Sequence, residues 1–456
     1  MSMRSDERLC NEKMLPLVFK MALPSVAAQL VNLLYGIIDK IYIGHIEGVG
    51  ADALAGVGIT TSIILLISAF SSLVGGGGSP LAAIELGKGN IDSARKILNN
   101  GFIMLLFFAL LCTTVPYFVM TPVLKFAGAS DNTLPYAVDY LSIYLIGTVF
   151  VMISTGLNMF INCQGRPGIA MASVIIGAVL NTALDPLFIF AFGLGVKGAA
   201  IATVISQAAS AAWVLRFLFS SKTHVRLDFK DMKPDLSVIG KITALGISPF
   251  VMASTESLVG FALNGQLQKY GNDIHVGALC VMQSAMQMVS IPLAGFSQGI
   301  IPILSYNYGH RRNDRVKEGF KITLAVMFGF NLVAMLFMIL CPALIGRMFT
   351  DDGAVIETVA RYMPVFLLGM TIFGLQRTCQ NTFVALGQAK ISLFIALLRK
   401  VILLVPLAYI LPTFMGVVGV YVAESVADAT AATLCTIIFL VTFPKILNKN
   451  DTTAEM

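Results

Sequence analysis

Long apolar segments separated by short polar stretches recur along the whole chain. About twelve of them hold roughly 20 residues or more, the length that a helix needs to cross about 30 Å of hydrocarbon. Apolar and polar residues do not alternate at every second position, so the pattern favours membrane helices over a membrane barrel. We predict spans at residues 17–43, 53–80, 96–120, 137–163, 167–192, 196–220, 241–268, 276–305, 316–345, 357–385, 391–413 and 417–441.

The second half of the chain repeats the pattern of the first. The stretch GGGGSPLAAIELGKGN (75–90) resembles SQGIIPILSYNYGHRR (297–312), and both end an apolar run in a charged loop. Toward the chain ends the separation shifts slightly, to 225 for Asp39 and Asn264 and to 221 for Thr203 and Glu424. Four matched pairs lie 222 positions apart: Pro80 and Pro302, Gly87 and Gly309, Gly147 and Gly369, and Gly165 and Gly387.

This duplication predicts two six-helix lobes, at residues 1–220 and 241–456, joined by a cytoplasmic linker at 221–240. Because six is an even number, both lobes enter and leave on the same side of the membrane and are parallel repeats. Paired bundles that face each other across a central cavity are a recurring design of secondary transporters. The predicted fold class is therefore an all-α polytopic membrane protein.

Composition and charge support the membrane assignment and orient the chain. Hydrophobic residues make up 57% of the sequence and charged residues 12%, and the mean hydropathy is +0.82, too apolar for a soluble protein. Most Lys and Arg residues fall in loops on the side of the two termini, which places both termini in the cytoplasm and the protein in the cytoplasmic (inner) membrane. This asymmetry accounts for the net charge of +6 without a nucleic-acid partner. The other side carries only Lys40, Lys125, Lys197, Lys269, Arg347 and Arg361.

Several kinds of chemistry lack their sequence signatures. No GxxxxGK[ST] nucleotide loop is present, the seven cysteines form no CxxC pair, and the four histidines form no metal-binding array. Residues 295–299 match GxSxG, but they lie within an apolar helical run, where small residues more often serve helix packing than nucleophilic catalysis. We therefore expect no enzyme activity, no structural metal and no cofactor other than a coupling ion.

Polar residues inside the spans are costly in hydrocarbon and are the candidates for function. In the first half they follow helical spacing on four helices, which predicts that polar faces converge on one another or on a water-filled cavity. Residues on these faces, with Tyr35, are Gln29, Asn32 and Asp39 in the first span, Ser154 and Asn158 in the fourth, Ser173, Asn181 and Asp185 in the fifth, and Thr203 and Gln207 in the sixth.

The two aspartates have two physical uses. Burial and mutual repulsion would make Asp39 and Asp185 a proton carrier. Alternatively, oxygen atoms of Asp39, Asp185, Asn181 and Thr203 would hold a hard cation such as Na⁺. A third interpretation is that each carboxylate simply pairs with a nearby donor, as Asp39 would with Lys40.

The second half carries a different set of polar residues. Glu256 shares a helix face with Asn264 and is a candidate for attracting cations, while Glu424 and Asp428 lie one turn apart. The cations Arg377, Arg399 and Lys400 lie in neighbouring spans, and structural ion pairs of these cations with Glu424 or Asp428 are an open alternative. The remaining candidates for the substrate cavity are Gln283, Gln287 and the neighbouring Met286, since Met linings suit varied apolar ligands.

These residues carry a family resemblance. The chain resembles transporters of the multidrug and toxic compound extrusion (MATE) family, above all its DinF-like and MepA-like branch, within a superfamily that also holds lipid and polysaccharide flippases. The matching segments are LVNLLYGIIDKIYIG, GGGGSPLAAIELGKGN, NTALDPLFIF, GVKGAAIATVISQ, GIIPILSYNYG and GVVGVYVAESVAD, which together extend over nearly the whole length.

The resemblance implies two lobes arranged as a V that rock between inward-open and outward-open states. It implies exchange of an organic cation for H⁺ or Na⁺, with Asp39 and Asp185 in the positions implicated in coupling and Asn181 and Thr203 beside them. Glu256 matches an acidic position of the NorM-like branch, but the tenth span has Gln376 and Arg377 where that branch has an acidic residue, which puts a second-lobe sodium site in doubt.

We therefore expect a secondary active multidrug efflux antiporter. Its partners would be drug-like organic cations and the lipid bilayer, and it would work as a monomer. The alternative is a flippase or exporter of a lipid-linked compound or metabolite, which would need a more basic cavity to hold phosphate groups.

Overall fold

A computed structural model describes residues 7–221, 223–228 and 232–452, so residues 1–6, 222, 229–231 and 453–456 lie outside it. The α-helices are numbered in chain order. They are α1 (Glu7–Asn11), α2 (Met14–Gly44), α3 (Gly50–Gly87), α4 (Ile91–Phe118), α5 (Met120–Phe126), α6 (Leu134–Ile146), α7 (Thr148–Asn162), α8 (Pro167–Pro186), α9 (Gly195–Leu218), α10 (Leu236–Tyr270), α11 (Asp273–Gly309), α12 (Asn313–Leu340), α13 (Pro342–Phe349), α14 (Gly353–Leu367), α15 (Phe373–Ala385), α16 (Ala389–Leu397), α17 (Val405–Met415) and α18 (Val417–Thr452).

Ten continuous helical segments in the described part are long and apolar enough to cross a membrane, and two bent pairs bring the number to twelve. The predicted all-α membrane fold is thereby confirmed. Two spans contain π-helical turns: Leu187–Ala191 continues α8, and Leu398–Leu404 joins α16 to α17. Several helices extend beyond the predicted spans; α10, for example, begins at Leu236, within the predicted linker, where the Asp235 side chain accepts hydrogen bonds from the backbone N–H groups of Ser237 and Val238.

The two bent spans break at equivalent positions of the repeat. The chain turns by 58° between α6 and α7, at Gly147, and by 45° between α14 and the helical segment that starts at Gly369. A Cβ at Gly147 would lie 2.5 Å from Val204, and a Cβ at Gly369 would lie 1.9 Å from the carbonyl oxygen of Ser425. Val204 and Ser425 are themselves 221 positions apart. Each break therefore packs against the equivalent helix of its own half, α9 in the first half and α18 in the second.

Both termini of the described chain lie at one end of the bundle, which we call the termini end. Asn307 donates a hydrogen bond to the carbonyl of Leu9 (2.8 Å), and Arg315 donates to the carbonyl of Glu12 (2.7 Å). Near the other terminus, Asn313 donates to the carbonyl of Leu447 (3.0 Å). The even number of spans predicted from the sequence is consistent with this placement.

The two halves meet most closely at the termini end, through glycines. In the Gly75–Gly78 run, Gly75 and Gly78 face α7 of their own half, whereas Gly76 and Gly77 face α10 of the other half. A Cβ at Gly77 would lie 2.2 Å from the carbonyl oxygen of Ile242. Small residues allow this close approach of helix backbones in a membrane.

Contacts across the halves continue only part of the way along the bundle. Phe70 of α3 packs on Phe250 of α10, with ring centroids 4.9 Å apart. Nearer the opposite end, a Cβ at Gly58 or at Gly260 would meet no atom within 4 Å. The halves thus form two lobes that separate toward the opposite end, although the exact lobe limits at residues 220 and 241 stay a prediction.

Candidate functional site

A polar cavity of about 310 Å³ lies within the first half. Its wall comes from α2, α3, α7, α8 and α9, with Gln298 of α11 as the contribution of the second half. The predicted polar faces do converge here, because residues three or four positions apart share one side of a helix. Predicted residues that line the cavity are Gln29, Asn32, Tyr35, Ser154, Asn158, Ser173, Asn181, Thr203 and Gln207.

Hydrogen bonds between helices hold these polar side chains in place. Ser154 of α7 donates to Gln207 of α9 (2.9 Å), and Asn158 of α7 donates to Ser173 of α8 (3.1 Å). Gln29 of α2 donates to Gln298 across the two halves (3.2 Å). The cavity wall is therefore a network of neutral donors and acceptors, and none of the described residues that line it is Lys or Arg.

Asp39 and Asp185 do not line the cavity itself but lie next to it, beside the lining residue Asn181. Both are buried, with relative exposures of 8% and 0%, and their carboxyl groups are close enough to interact with each other. Asn181 connects the pair to the cavity, since its amide donates to Asp185 (3.2 Å) and to Thr203 (3.3 Å).

Three oxygen atoms in this group accept no hydrogen bond from the described residues. They are Asp39 Oδ1, Asp185 Oδ2 and Asn181 Oδ1. A buried acceptor without a donor costs about 1–3 kcal/mol, more when the group is charged. These three free atoms are all oxygen, the element that best holds a proton or a hard monovalent cation. The four predicted coupling residues are thus next to one another, although their role in coupling stays a prediction.

Other residues of this region were not predicted as site residues from the sequence. Tyr140 of α6 lies beside Thr203, and its ring stacks on Tyr144 with centroids 6.1 Å apart. Ser68, Ser71 and Ser72 of α3 line the cavity as well. Their spacing of three and four residues was the available signal, but hydroxyl groups and Tyr are common enough in membrane helices to hide it.

The second half arranges its charges as ion pairs. Arg399 Nε lies 2.5 Å from Asp428 Oδ1, and Arg399 Nη2 lies 3.7 Å from Glu424 Oε1. The alternative of structural ion pairs for Glu424 and Asp428 is therefore confirmed. Lys400 Nζ contacts Glu256 Oε1.

The second-half candidates for the substrate cavity do not line the 310 Å³ cavity. Glu256 is paired with Lys400, a contact that was not predicted from the sequence. Asn264 and Gln287 are exposed, and Gln283 and Met286 are half-buried on α11. The physical reason is the shape of the cavity, which lies within the first lobe, away from the outer parts of α10 and α11.

Two further predictions concern metal binding and the GxSxG match at residues 295–299. Within residues 7–221, 223–228 and 232–452, no three His, Cys, Asp or Glu side chains are grouped to hold a metal ion. Ser297 donates to the carbonyl of Leu293 within its own helix (2.8 Å), and a Cβ at Gly295 or Gly299 would collide with the backbone of α2 at Val26 or Ala22. The interpretation of this stretch as a helix-packing surface is thus confirmed.

Comparison with known proteins agrees with this architecture. The chain is similar to the multidrug export protein MepA of Staphylococcus haemolyticus (strain JCSC1435), with 23% identity over 91% of this chain and 90% of MepA. MepA of Staphylococcus aureus (strain N315) is 25% identical over 94% of each chain.

Solved structures show the same fold. A crystal structure of MATE in the bent conformation superposes with a TM-score of 0.91 at 20% identity, over 99% of this chain and 100% of that chain. An outward-facing conformation of a multidrug resistance MATE family transporter gives 0.90 at 20% identity, over 98% and 99%. The sequence model of the MatE family matches residues 24–187 and 250–410, one segment in each half. This chain is therefore a member of the MatE family of membrane transporters.

Proposed function

We propose that this protein is a secondary active multidrug efflux antiporter of the cytoplasmic membrane, which exchanges lipophilic or cationic compounds for H⁺ or Na⁺. The observation that carries the proposal is the buried Asp39 and Asp185 pair beside a polar cavity. The names of the MepA relatives, multidrug export proteins, support drug-like compounds as substrates. Both termini are proposed to be cytoplasmic and the working unit to be a monomer.

Exchange follows if the coupling ion and the drug exclude each other electrostatically. With the pair ionised, the neighbouring cavity has a negative potential and favours an organic cation. With a proton or Na⁺ bound, much of that attraction is lost. At an effective dielectric constant of about 20, a unit charge about 8 Å from one carboxylate gains about 2 kcal/mol, or about thirty-fold in affinity. One protonation is thus enough to switch drug binding over a useful range.

Alternating access would convert this competition into transport. The present state is closed at the termini end by the glycine contacts and by Gln29 and Gln298. A rocking motion of the lobes would open that end to load the drug from the cytoplasm. A ligand shifts such an equilibrium only through its different affinity for the two states, so mutual exclusion at the aspartate pair is what makes the exchange obligatory.

The proposal is tested in everted membrane vesicles that carry an imposed proton gradient. Addition of ethidium should release protons, seen as recovery of a quenched pH dye, without sodium. We expect Asp39→Asn and Asp185→Asn to abolish the recovery, while Asp52→Asn, which changes an exposed aspartate at the start of α3, leaves it unchanged.

Two other outcomes would change the assignment. Recovery of ethidium efflux only when sodium is added would make Na⁺ the coupling ion. Normal efflux in both Asp39→Asn and Asp185→Asn would refute the antiport mechanism and would favour the flippase alternative. The structure offers that alternative little support, because the described cavity wall holds no Lys or Arg to bind a phosphate group.

A further inference from the structure

The second half places two cations where the first half leaves space. Gly177 and Ala178 of α8 line the 310 Å³ cavity. The residues 222 positions later are Arg399 and Lys400, and this offset holds locally because α8 begins at Pro167 and α16 at Ala389, also 222 positions apart. Long charged side chains thus occupy the region of the second lobe that corresponds to the cavity of the first.

The two cations are held in different ways. Arg399 lies between Asp428 (2.5 Å) and Glu424 (3.7 Å) and over the ring of Phe373, 4.3 Å from its centroid. All of these partners are buried, so Arg399 is enclosed. Lys400 is also buried, with 6% of its side chain exposed, but its partner Glu256 is 66% exposed.

The exposure of Glu256 makes its carboxylate reachable from outside the ion pair. Glu256 lies on α10 seven residues after Pro249, two helical turns along the same face, and a Cβ at Gly76 of the other lobe would lie 3.0 Å from Pro249. One helical turn beyond Glu256, a Cβ at Gly260 would meet no atom within 4 Å, so the space beside this part of α10 is open. A carboxylate in this position can be approached by a cation from the space between the lobes.

We propose that Glu256 is a second recognition point for the cationic group of the transported compound, and that Lys400 is a tethered cation that occupies this point between turnovers. The inference rests on the proposed transport function. A bound organic cation displaces the Lys400 ammonium group from Glu256. When the compound leaves, Lys400 returns and neutralises the carboxylate, so this lobe requires no coupling ion of its own.

A tethered competitor lowers the apparent affinity for every cation that uses the same carboxylate. The apparent dissociation constant rises in inverse proportion to the fraction of molecules in which Glu256 is free. If Lys400 engages Glu256 about nine times in ten, removal of its charge tightens cation binding about tenfold. A neutral ligand of the same size does not compete with Lys400 and gains nothing.

The test measures binding to the purified full-length protein in nanodiscs, with tetraphenylphosphonium as the cation and tetraphenylmethane-like neutral probes of similar size for comparison. We expect Lys400→Met to bind the cation about tenfold more tightly and the neutral probe equally well, and Lys400→Arg to resemble wild type. Glu256→Gln added to Lys400→Met should remove the gain, as coupled positions do in a double-mutant cycle. Lys269→Met, which removes an exposed cation from the same α10, should change nothing.

Two results of the binding assay would overturn the proposal. A Lys400→Met protein without tighter cation binding, or with a gain that persists after Glu256→Gln, overturns it. If Lys400→Met does not fold, Lys400→Gln, which keeps a donor for Glu256, is measured in its place with the same expectations. The binding assay is independent of transport: a gain in affinity in a protein without drug and proton exchange would keep this site and refute the antiport mechanism instead.

Discussion

At the scale of single residues, the membrane interior makes the partners of each charge decisive. Asp39 and Asp185 have each other and the Asn181 amide as neighbours, whereas Glu424 and Asp428 share a guanidinium group. Carboxylates in these two surroundings have different uses. In the proposed transport cycle the first pair gains and loses a coupling ion, whereas the second pair is held by the fixed charge of Arg399.

The aspartate pair predicts a pH dependence of drug binding. Protonation removes negative charge beside the cavity, so the affinity for a lipophilic cation should fall as the pH is lowered. In Asp39→Asn the affinity should be weaker and its pH dependence smaller, because only one carboxyl group is left to carry negative charge and to take up a proton. Fluorescence titration of ethidium into the purified protein, from mildly alkaline to mildly acidic pH, measures this. Equal pH profiles for Asp39→Asn and wild type would contradict it.

The arginines of the second lobe predict a difference in stability. Removal of Arg399 leaves two buried carboxylates without their cation, which costs about 3–5 kcal/mol in comparable buried pairs. Arg377 has no carboxylate oxygen within 4.0 Å among the described ion pairs and donates to the carbonyl of Ser290 (3.3 Å), so Arg377→Met should cost only about 1 kcal/mol.

Thermal unfolding in detergent compares the two variants. Arg399→Met should melt well below wild type and Arg377→Met close to it. Similar melting temperatures for the two variants would show that the ion pairs with Asp428 and Glu424 do not stabilise the lobe.

At the scale of helices, glycines decide how closely the two lobes approach. A Cβ at Gly246 of α10 would lie 1.8 Å from the carbonyl oxygen of Leu73 in α3, a distance that real atoms do not adopt. Gly246→Ala should therefore weaken closure of the termini end and shift the protein toward states that are open there. Gly260→Ala, on the same helix but with open surroundings, is the matched control.

Spin labels at two exposed positions of the termini end, residue 96 in the first lobe and residue 317 in the second, report this shift. We expect a longer or broader distance distribution in Gly246→Ala than in wild type, and no change in Gly260→Ala. An unchanged distribution in Gly246→Ala would mean that this contact does not limit closure.

Helix positions could be predicted from the sequence because hydrocarbon imposes a length on each apolar segment. The polar faces of the first half were also accessible, since Asn181 and Asp185 lie on one helix and their spacing fixes a common side. The contact of Glu256 with Lys400 was not accessible, because 144 positions separate them and several cations were within reach. The bends at Gly147 and Gly369 were equally hidden, because a glycine in a membrane helix more often serves packing than a break.

At the scale of the whole molecule, the distribution of cations predicts orientation. Lys and Arg residues concentrate in loops of the termini end, and such loops remain in the cytoplasm. A fluorescent protein fused to the carboxyl terminus should therefore fluoresce, and alkaline phosphatase fused there should be inactive. The opposite pattern would reverse the orientation and, with it, the direction of transport.

The equivalent bends also bear on how such a molecule could arise. A bend that recurs at Gly147 and Gly369 and packs on equivalent residues belongs to the six-helix unit itself. In a dimer of two identical units, any substitution that filled one cavity would fill the other as well. Fusion of the two units into a single polypeptide removes that constraint. The second lobe can then acquire Arg399 and Lys400 while the first lobe keeps its cavity.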